Sequence, residues 1–275
     1  MTTQVRYQAG GEIRVGRLDG DVITDAGPDG FVPDEAGWVA IEAAAGAQLR
    51  VDDVTLLPPV SPGKVIAIGL NYRSHVEETS LAMPDAPVVF AKWVSSLVGH
   101  GAAIVIPHEE TRTDYEAELA IVFSRRFTRA TLGDARSTIG GFCAFNDVSG
   151  RRAQLETPMR QFTLGKSFDT FGPIGPGIVR ADDVDLGNVD VRCTVSGEVL
   201  QDSNTRHLIF SIETLIEYVS RGVTIEAGDV LITGTPGGVG DERKPPRYLL
   251  PGDIVEVSVS GCPTLRNPVV AESWA

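Results

Sequence analysis

The chain has 275 residues, 42% of them hydrophobic and 22% charged, an ordinary globular composition that excludes a disordered chain. Asp plus Glu number 37 against 24 Lys plus Arg, a formal charge of −13. So acidic a chain repels phosphate backbones and anionic lipid head groups, which argues against nucleic acid or a membrane surface as partner. A small anionic molecule stays admissible where local cations or a metal ion outweigh the global field.

Three cysteines (Cys143, Cys193, Cys262) show no metal-ligand spacing and read as small hydrophobes in a reducing compartment. The first residues lack a basic region followed by an apolar run, and no apolar run approaches a bilayer span. A cytoplasmic protein is expected. In chain order, 11–18 and 22–24 read as strands about the turn Asp19-Gly20-Asp21, and 37–45 as a helix. The proline-rich stretch 57–63 reads as a linker. It divides a small N-terminal domain of short strands, 1–60, from a larger domain, 61–275. Strands follow at 64–70, 87–91, 119–123, 229–233 and 254–259. A short helix opens after Tyr72. A longer one is expected over 204–221, with Ile209, Ile212, Leu215, Ile216 and Val219 at helical spacing and Gly222 as its stop. Strands outnumber helices without alternating with them, so the expected class is α+β, mostly β.

Five segments can carry chemistry. In Asp114-Tyr115-Glu116-Ala117-Glu118, extended backbone places the three acids on one face, with Glu116 and Glu118 roughly 7 Å apart. Buried together they need a cation, and oxygen-only donors suit Mg²⁺ or Mn²⁺, with Ca²⁺ also admissible; a solvated acidic strand face is the competing reading. Asp147, at the end of an apolar strand, is a natural third ligand or a turn former. His75 and Glu78 share a helical face, the arrangement of an oriented general base or of a surface ion pair. Lys166, set among aromatics and glycines, can meet substrate negative charge or pack its stem on Phe162 or Phe168. The run Thr233 to Gly240 offers free amides and the Thr235 hydroxyl to a carboxylate, or is a plain turn.

Taken in order, GLNYRSHVEE, VVFAKWVSSLVG, DYEAELAIVF, NDVSGRRAQ, QFTLGKSFDTFGPIGP, LQDSNTRHLIF, GDVLITGTPGGVG and LLPGDIVEVSV resemble the fumarylacetoacetate hydrolase family over roughly 60–270. The resemblance implies a fold of layered mixed sheets with few helices and a homodimer. It implies Glu116, Glu118 and Asp147 as metal ligands for Mg²⁺ or Mn²⁺, and His75 with Glu78 as the water-activating dyad on a mobile lid. Lys166 would steady the negative charge of the intermediate. Arg151, Gln154, Thr235, Tyr72 and Lys92 would surround the substrate. Two departures bear on the pocket: Ser149-Gly150-Arg151-Arg152 carries a second arginine where the family has an acid, and Trp93 follows Lys92 where the family has proline. Arg152 either favours a dianionic substrate or faces solvent.

The expected reaction is metal-dependent hydrolysis of a carbon–carbon bond in a 1,3-diketo acid such as acetylpyruvate or fumarylpyruvate. Decarboxylation or isomerisation of a 2-oxo or 2-hydroxy-dienoic dicarboxylate, as in aromatic catabolism, uses the same enolate chemistry. A non-catalytic metal-binding descendant is the remaining reading. The segment 72–87 is expected to be a lid, and the first sixty residues to form either a pocket wall or a dimer edge.

Overall fold

The computed structural model describes residues 1–273 apart from Ser80 and Asp183. The first sixty residues hold β1 (Thr3–Ala9), β2 (Glu12–Asp19), β3 (Val22–Pro28), α1 (Glu35–Glu42), β4 (Gln48–Arg50) and β5 (Thr55–Leu56). The Asp34 carboxylate caps α1 by accepting from the Gly37 amide at 2.8 Å. The helix buries Trp38 and Ile41, and the Trp38 indole donates to the Gly140 carbonyl at 2.8 Å.

Then come β6 (Val65–Gly69), α2 (Arg73–Thr79), β7 (Val88–Lys92), β8 (Leu97–Val98), β9 (Ile104–Ile106), β10 (Thr113–Asp114) and β11 (Ala117–Phe123). After α3 (Leu132–Ala135) follow β12 (Ile139–Asn146), β13 (Ser149–Gly150), α4 (Arg151–Leu155), α5 (Phe162–Gly165), β14 (Gly172–Arg180), β15 (Asp190–Val195) and β16 (Glu198–Asn204). The chain ends with α6 (Ile212–Ser220), β17 (Val230–Ile232), β18 (Ile254–Val259) and β19 (Leu265–Ala271).

The described strands make a large mixed sheet in the order β4-β3-β2-β1-β14-β12-β11-β17-β6-β7, a five-stranded sheet β16-β15-β18-β19-β9, and the small pair β10-β13. The N-terminal strands join the large sheet through antiparallel pairing of β1 with β14. The class is α+β and mostly β, as expected, with both sheet faces covered near the centre. Leu119, Ile121 and Phe123 of β11 pack into one core with Val191, Val257 and Leu265 of the second sheet. Their neighbours Ala120 and Val122 pack on the opposite side with Val65, Val230 and Ile232. A strand buried on both faces reads as an unbroken apolar run rather than an alternation. Each large side chain so buried stabilises the fold by about 1.5–3 kcal/mol.

The expected helix 204–221 is shorter, Ile212–Ser220. Asn204 caps a separate 3₁₀ turn over Thr205–His207, and Asn71 takes the amides of Ile209 and Phe210, by its carbonyl at 2.7 Å and its side-chain oxygen at 2.9 Å. The helix can start only after them, where the Ser211 hydroxyl accepts from the Thr214 amide. No described helix is long and apolar enough to cross a membrane.

For the site the decisive pairing is β11 with β12, in which Ala117 faces Asn146. This register sets the start of one strand beside the end of the other, and with them Glu116 and Glu118 beside Asp147.

Candidate active site

Glu116, Glu118 and Asp147 are buried, and one carboxylate oxygen from each lies within 4.8 Å of the others. The backbone fixes this approach: the Asp147 amide donates to the Glu116 carbonyl at 2.8 Å, and the Asn146 side-chain oxygen accepts from the Glu116 amide at 3.0 Å. Glu118 Oε2 accepts from the Gly234 amide at 2.7 Å. Gly234 holds φ at +100°, and a Cβ there would stand 2.8 Å from Asn71 Cβ.

Three cations surround the acids. Lys166 Nζ donates to Glu116 Oε2 and Asp147 Oδ2, both at 2.7 Å. Lys92 Nζ donates to Asp147 Oδ1 at 2.7 Å and to the Lys166 carbonyl. Arg151 donates through Nη2 to Glu116 Oε1 at 2.7 Å, through Nε and Nη2 to Asp114 Oδ2 at 2.9 and 2.7 Å, and through Nη1 to Gln154 at 3.0 Å. Burial works against the charge of Glu116, yet Lys166, Arg151 and His75 outweigh it and bring its pKa down to about 2. Glu118 goes the other way, well above the usual carboxylate range, through burial and the neighbouring Asp147 and Glu116. Burial lowers the Lys92 ammonium against the pull of Asp147. Lys166 is raised because Asp147 and Glu116 overcome its burial.

Four buried carboxyls, Asp114 included, thus face three cations, and the uncompensated one is Glu118. Tyr72 is fully buried with its hydroxyl unpartnered among the described residues, and burial together with Glu118 raises its pKa. A hard divalent cation fits this donor set: oxygen-only ligands, converged and buried, with one acid short of counter-charge.

The opposite wall comes from α2. His75 Nδ1 lies 2.7 Å from Glu78 Oε1, and Glu78 Oε2 accepts from the Gly238 amide at 2.7 Å. In the neutral ring with Nδ1 donating to Glu78, Nε2 is the acceptor. The Ser74 hydroxyl takes the Gly237 amide at 3.1 Å, so the glycine-rich loop after β17 grips the helix at two points. Between α2 and the acids lies a cavity of about 210 Å³. His75, Glu116, Arg151, Gln154, Lys166 and Thr235 line it on the polar side, and Ile68, Leu81, Phe90, Phe162 and Val239 on the apolar side.

Eight of the sequence-derived site residues therefore meet around one cavity or its acid cluster: the three acids, His75, Lys166, Arg151, Gln154 and Thr235. Glu78 supports from behind the imidazole. Two further residues of the expected set lie outside the cavity lining. Lys92 has no exposed side-chain surface, its ammonium being spent on Asp147 and two carbonyls, and Tyr72 is buried behind Glu118. Thr235 lines the cavity, but its hydroxyl already donates to the Ala117 carbonyl at 3.0 Å and accepts from Gln201 at 2.8 Å.

Arg152 turns outward to Glu156 and Trp93 is 52% exposed, so neither departure shapes this cavity. No described residue before Ile68 lines it, which excludes the first sixty residues as its wall.

Asp114 stays outside the converged trio, although Arg151 Nη2 joins its carboxylate to that of Glu116. Chain alternation is interrupted between β10 and β11, and its carboxylate accepts from Arg151 and from the Gly240 and Asp241 amides at 2.7 and 3.0 Å. Sequence reasoning assigned no role to Gln201, whose amide ties the Ala117 amide, Thr235 and the Pro236 carbonyl together. Its signal was its place in the LQDSNTRHLIF block. Arg160 and Glu242, which also line the cavity, carried no signal.

The family model described as fumarylacetoacetate (FAA) hydrolase C-terminal matches residues 64–270. A curated relative from Bos taurus, oxaloacetate tautomerase FAHD2A, mitochondrial, is 41% identical over 86% of this chain and 77% of its own length. The crystal structure of 5-carboxymethyl-2-hydroxymuconate delta-isomerase from Mycobacterium smegmatis superposes with a TM-score of 0.82 at 33% identity, covering both chains fully. The structure of fumarylacetoacetate hydrolase (EaFAH) from Exiguobacterium antarcticum gives 0.86 at 35% identity, covering 99% of this chain and all of the other.

Proposed function

The chain belongs to the fumarylacetoacetate hydrolase family, and within it we propose a divalent-metal-dependent keto–enol tautomerase of a 2-oxo acid of the oxaloacetate type. The observation that carries this reading is a single oriented base, His75, facing a converged carboxylate cluster across a cavity with room for one small acid. The tautomerase and isomerase titles of the relatives support it.

Glu116, Glu118 and Asp147 would hold Mg²⁺ or Mn²⁺, which supplies Lewis acidity toward the carboxylate and oxo oxygen of the substrate. His75 Nε2 takes a proton from the carbon beside the oxo group, the imidazolium so formed or water gives a proton to the enolate oxygen to complete the enol, and the reverse course returns a proton to carbon. Glu78 fixes the ring and stabilises the imidazolium that forms, while the Gly238 amide holds Glu78 in place. Lys166 offsets the negative charge that develops on the substrate oxygens. Arg151 and Gln154 complete the polar wall, and the apolar wall of Ile68, Leu81 and Phe162 keeps water from the proton-transfer path.

Hydrolysis of an acylpyruvate is the second reading, because the same His75–Glu78 pair can take a proton from water. Enol absorbance of oxaloacetate and of acetylpyruvate, followed with Mg²⁺ and with EDTA and with products separated by chromatography, decides between them. Accelerated interconversion of oxaloacetate tautomers without pyruvate or acetate supports the tautomerase; pyruvate plus acetate from acetylpyruvate, at a higher rate, replaces it with the hydrolase.

We further propose a homodimer in a reducing compartment such as the cytoplasm. The exposed apolar side chains Val89, Trp93 and Val94 at the β7 edge and three free cysteines fit it. Light scattering on the eluted protein measures the assembly.

A further inference from the structure

The charges lining the cavity differ in how they are used. Arg151 is committed to Asp114, Glu116 and Gln154, and Lys166 to Glu116 and Asp147. Arg160 lines the same cavity, and its guanidinium has no hydrogen-bond or ion-pair partner among the described residues.

The backbone at this point is nevertheless held. The Arg160 amide donates to the Thr157 carbonyl at 3.1 Å, and the next amide, of Gln161, donates to the Gln154 carbonyl at 2.9 Å. Arg160 itself sits at φ +47°, a left-handed conformation that a long side chain rarely adopts. A fixed, unfavourable backbone thus presents an uncommitted guanidinium to a site already lined by a working base. Glu242 lines the cavity as well, with Glu78 and His75 among its electrostatic neighbours. Glu242 disfavours a second substrate carboxylate beside it, and Arg160 offers one an uncommitted cation on the same cavity.

We propose that Arg160 is a specificity-determining residue that receives the second, distal carboxylate of a short 2-oxo dicarboxylate. The inference rests on the oxo-acid reading above and names its substrate class: the first carboxylate and oxo group lie toward the acid cluster, and the second pairs with the guanidinium fork. The small cavity favours a short acid over a long one.

The test compares oxaloacetate with 2-oxobutyrate, in which a methyl group replaces the distal carboxylate. Solvent deuterium uptake at C3 is measured for both with Mg²⁺, in the wild type, Arg160→Gln and Arg160→Lys. The wild type is expected to prefer oxaloacetate. In Arg160→Gln that preference, read as the ratio of the two kcat/KM values, falls about tenfold to a hundredfold, chiefly through KM for oxaloacetate; Arg160→Lys restores part of it. Arg160 is exposed, so thermal unfolding of the variants should match the wild type. A ratio that stays within about twofold, or equal loss on both acids, overturns the role of Arg160 while leaving the oxo-acid reading in place. Uptake into neither acid by the wild type overturns that reading and this inference with it.

Discussion

Asp114 is the buried partner of Arg151, and replacing it with alanine isolates what that pair does. The side chains of Asp114 and Arg151 are 0% and 7% exposed, so water screens little of their interaction. The substitution removes two hydrogen bonds from Arg151 and the acceptors of the Gly240 and Asp241 amides. Among the described residues, the acid that stays in ion-pair contact with Arg151 is Glu116, which already serves Lys166. Breaking a buried pair from one side typically costs about 3–5 kcal/mol, because the other charge stays buried. For a chain of this size that corresponds to a fall of roughly 6–20 °C in unfolding midpoint. Removing both partners in Asp114→Leu/Arg151→Met should recover much of the loss, since no lone charge remains. Differential scanning calorimetry of the two variants measures both effects. A drop of less than about 2 °C for Asp114→Ala, or a double variant less stable than the single one by the full cost of Arg151, would refute the reasoning.

His75→Ala should abolish proton transfer while Mg²⁺ affinity by titration calorimetry stays within about twofold, because the imidazole is not among the converged carboxylates; loss of metal binding contradicts that division of roles. Glu118 gives a pH dependence. Its folded pKa lies above the ordinary 4.5, so without a cation its contribution to stability is complete below that value and is lost as pH rises through the raised one. Mg²⁺, which needs the ionised form, should therefore raise the unfolding midpoint more at about pH 8 than at about pH 6; the opposite trend rules out Glu118 as a ligand. The lid expectation for 72–87, in which Ser80 lies outside the described residues, predicts slower proteolysis there when oxalate and Mg²⁺ are bound. Identical cleavage with and without them argues against closure.

Much of this architecture was readable from residue order because the physics was local. The apolar runs at 64–70 and 119–123 mark strands covered on both faces, and the β11–β12 pairing turns Glu116, Glu118 and Asp147 into neighbours. The His75–Glu78 contact follows from helical spacing alone. What escaped depended on tertiary packing. Alternation put Asp114 with the other acids, but the strand breaks after it and Arg151 and two loop amides capture its carboxylate. Lys92 looked available to substrate, yet Asp147 and two carbonyls enclose it. The start of α6 moved because Asn71, more than a hundred residues away, claims two amides at 209 and 210. Arg160 stands in a polar stretch with no periodicity, so nothing short of the folded chain could place it beside the cavity.

The central claim is that His75 removes a proton from the carbon next to the oxo group of an acid held over the three carboxylates. Nuclear magnetic resonance of oxaloacetate in deuterated buffer with Mg²⁺ tests it most directly, by deuterium uptake at C3 above the uncatalysed rate. The account predicts rapid uptake in the wild type that is lost both in EDTA and in His75→Ala. Uptake at the uncatalysed rate in the Mg²⁺-loaded wild type, or undiminished uptake in His75→Ala, would contradict it.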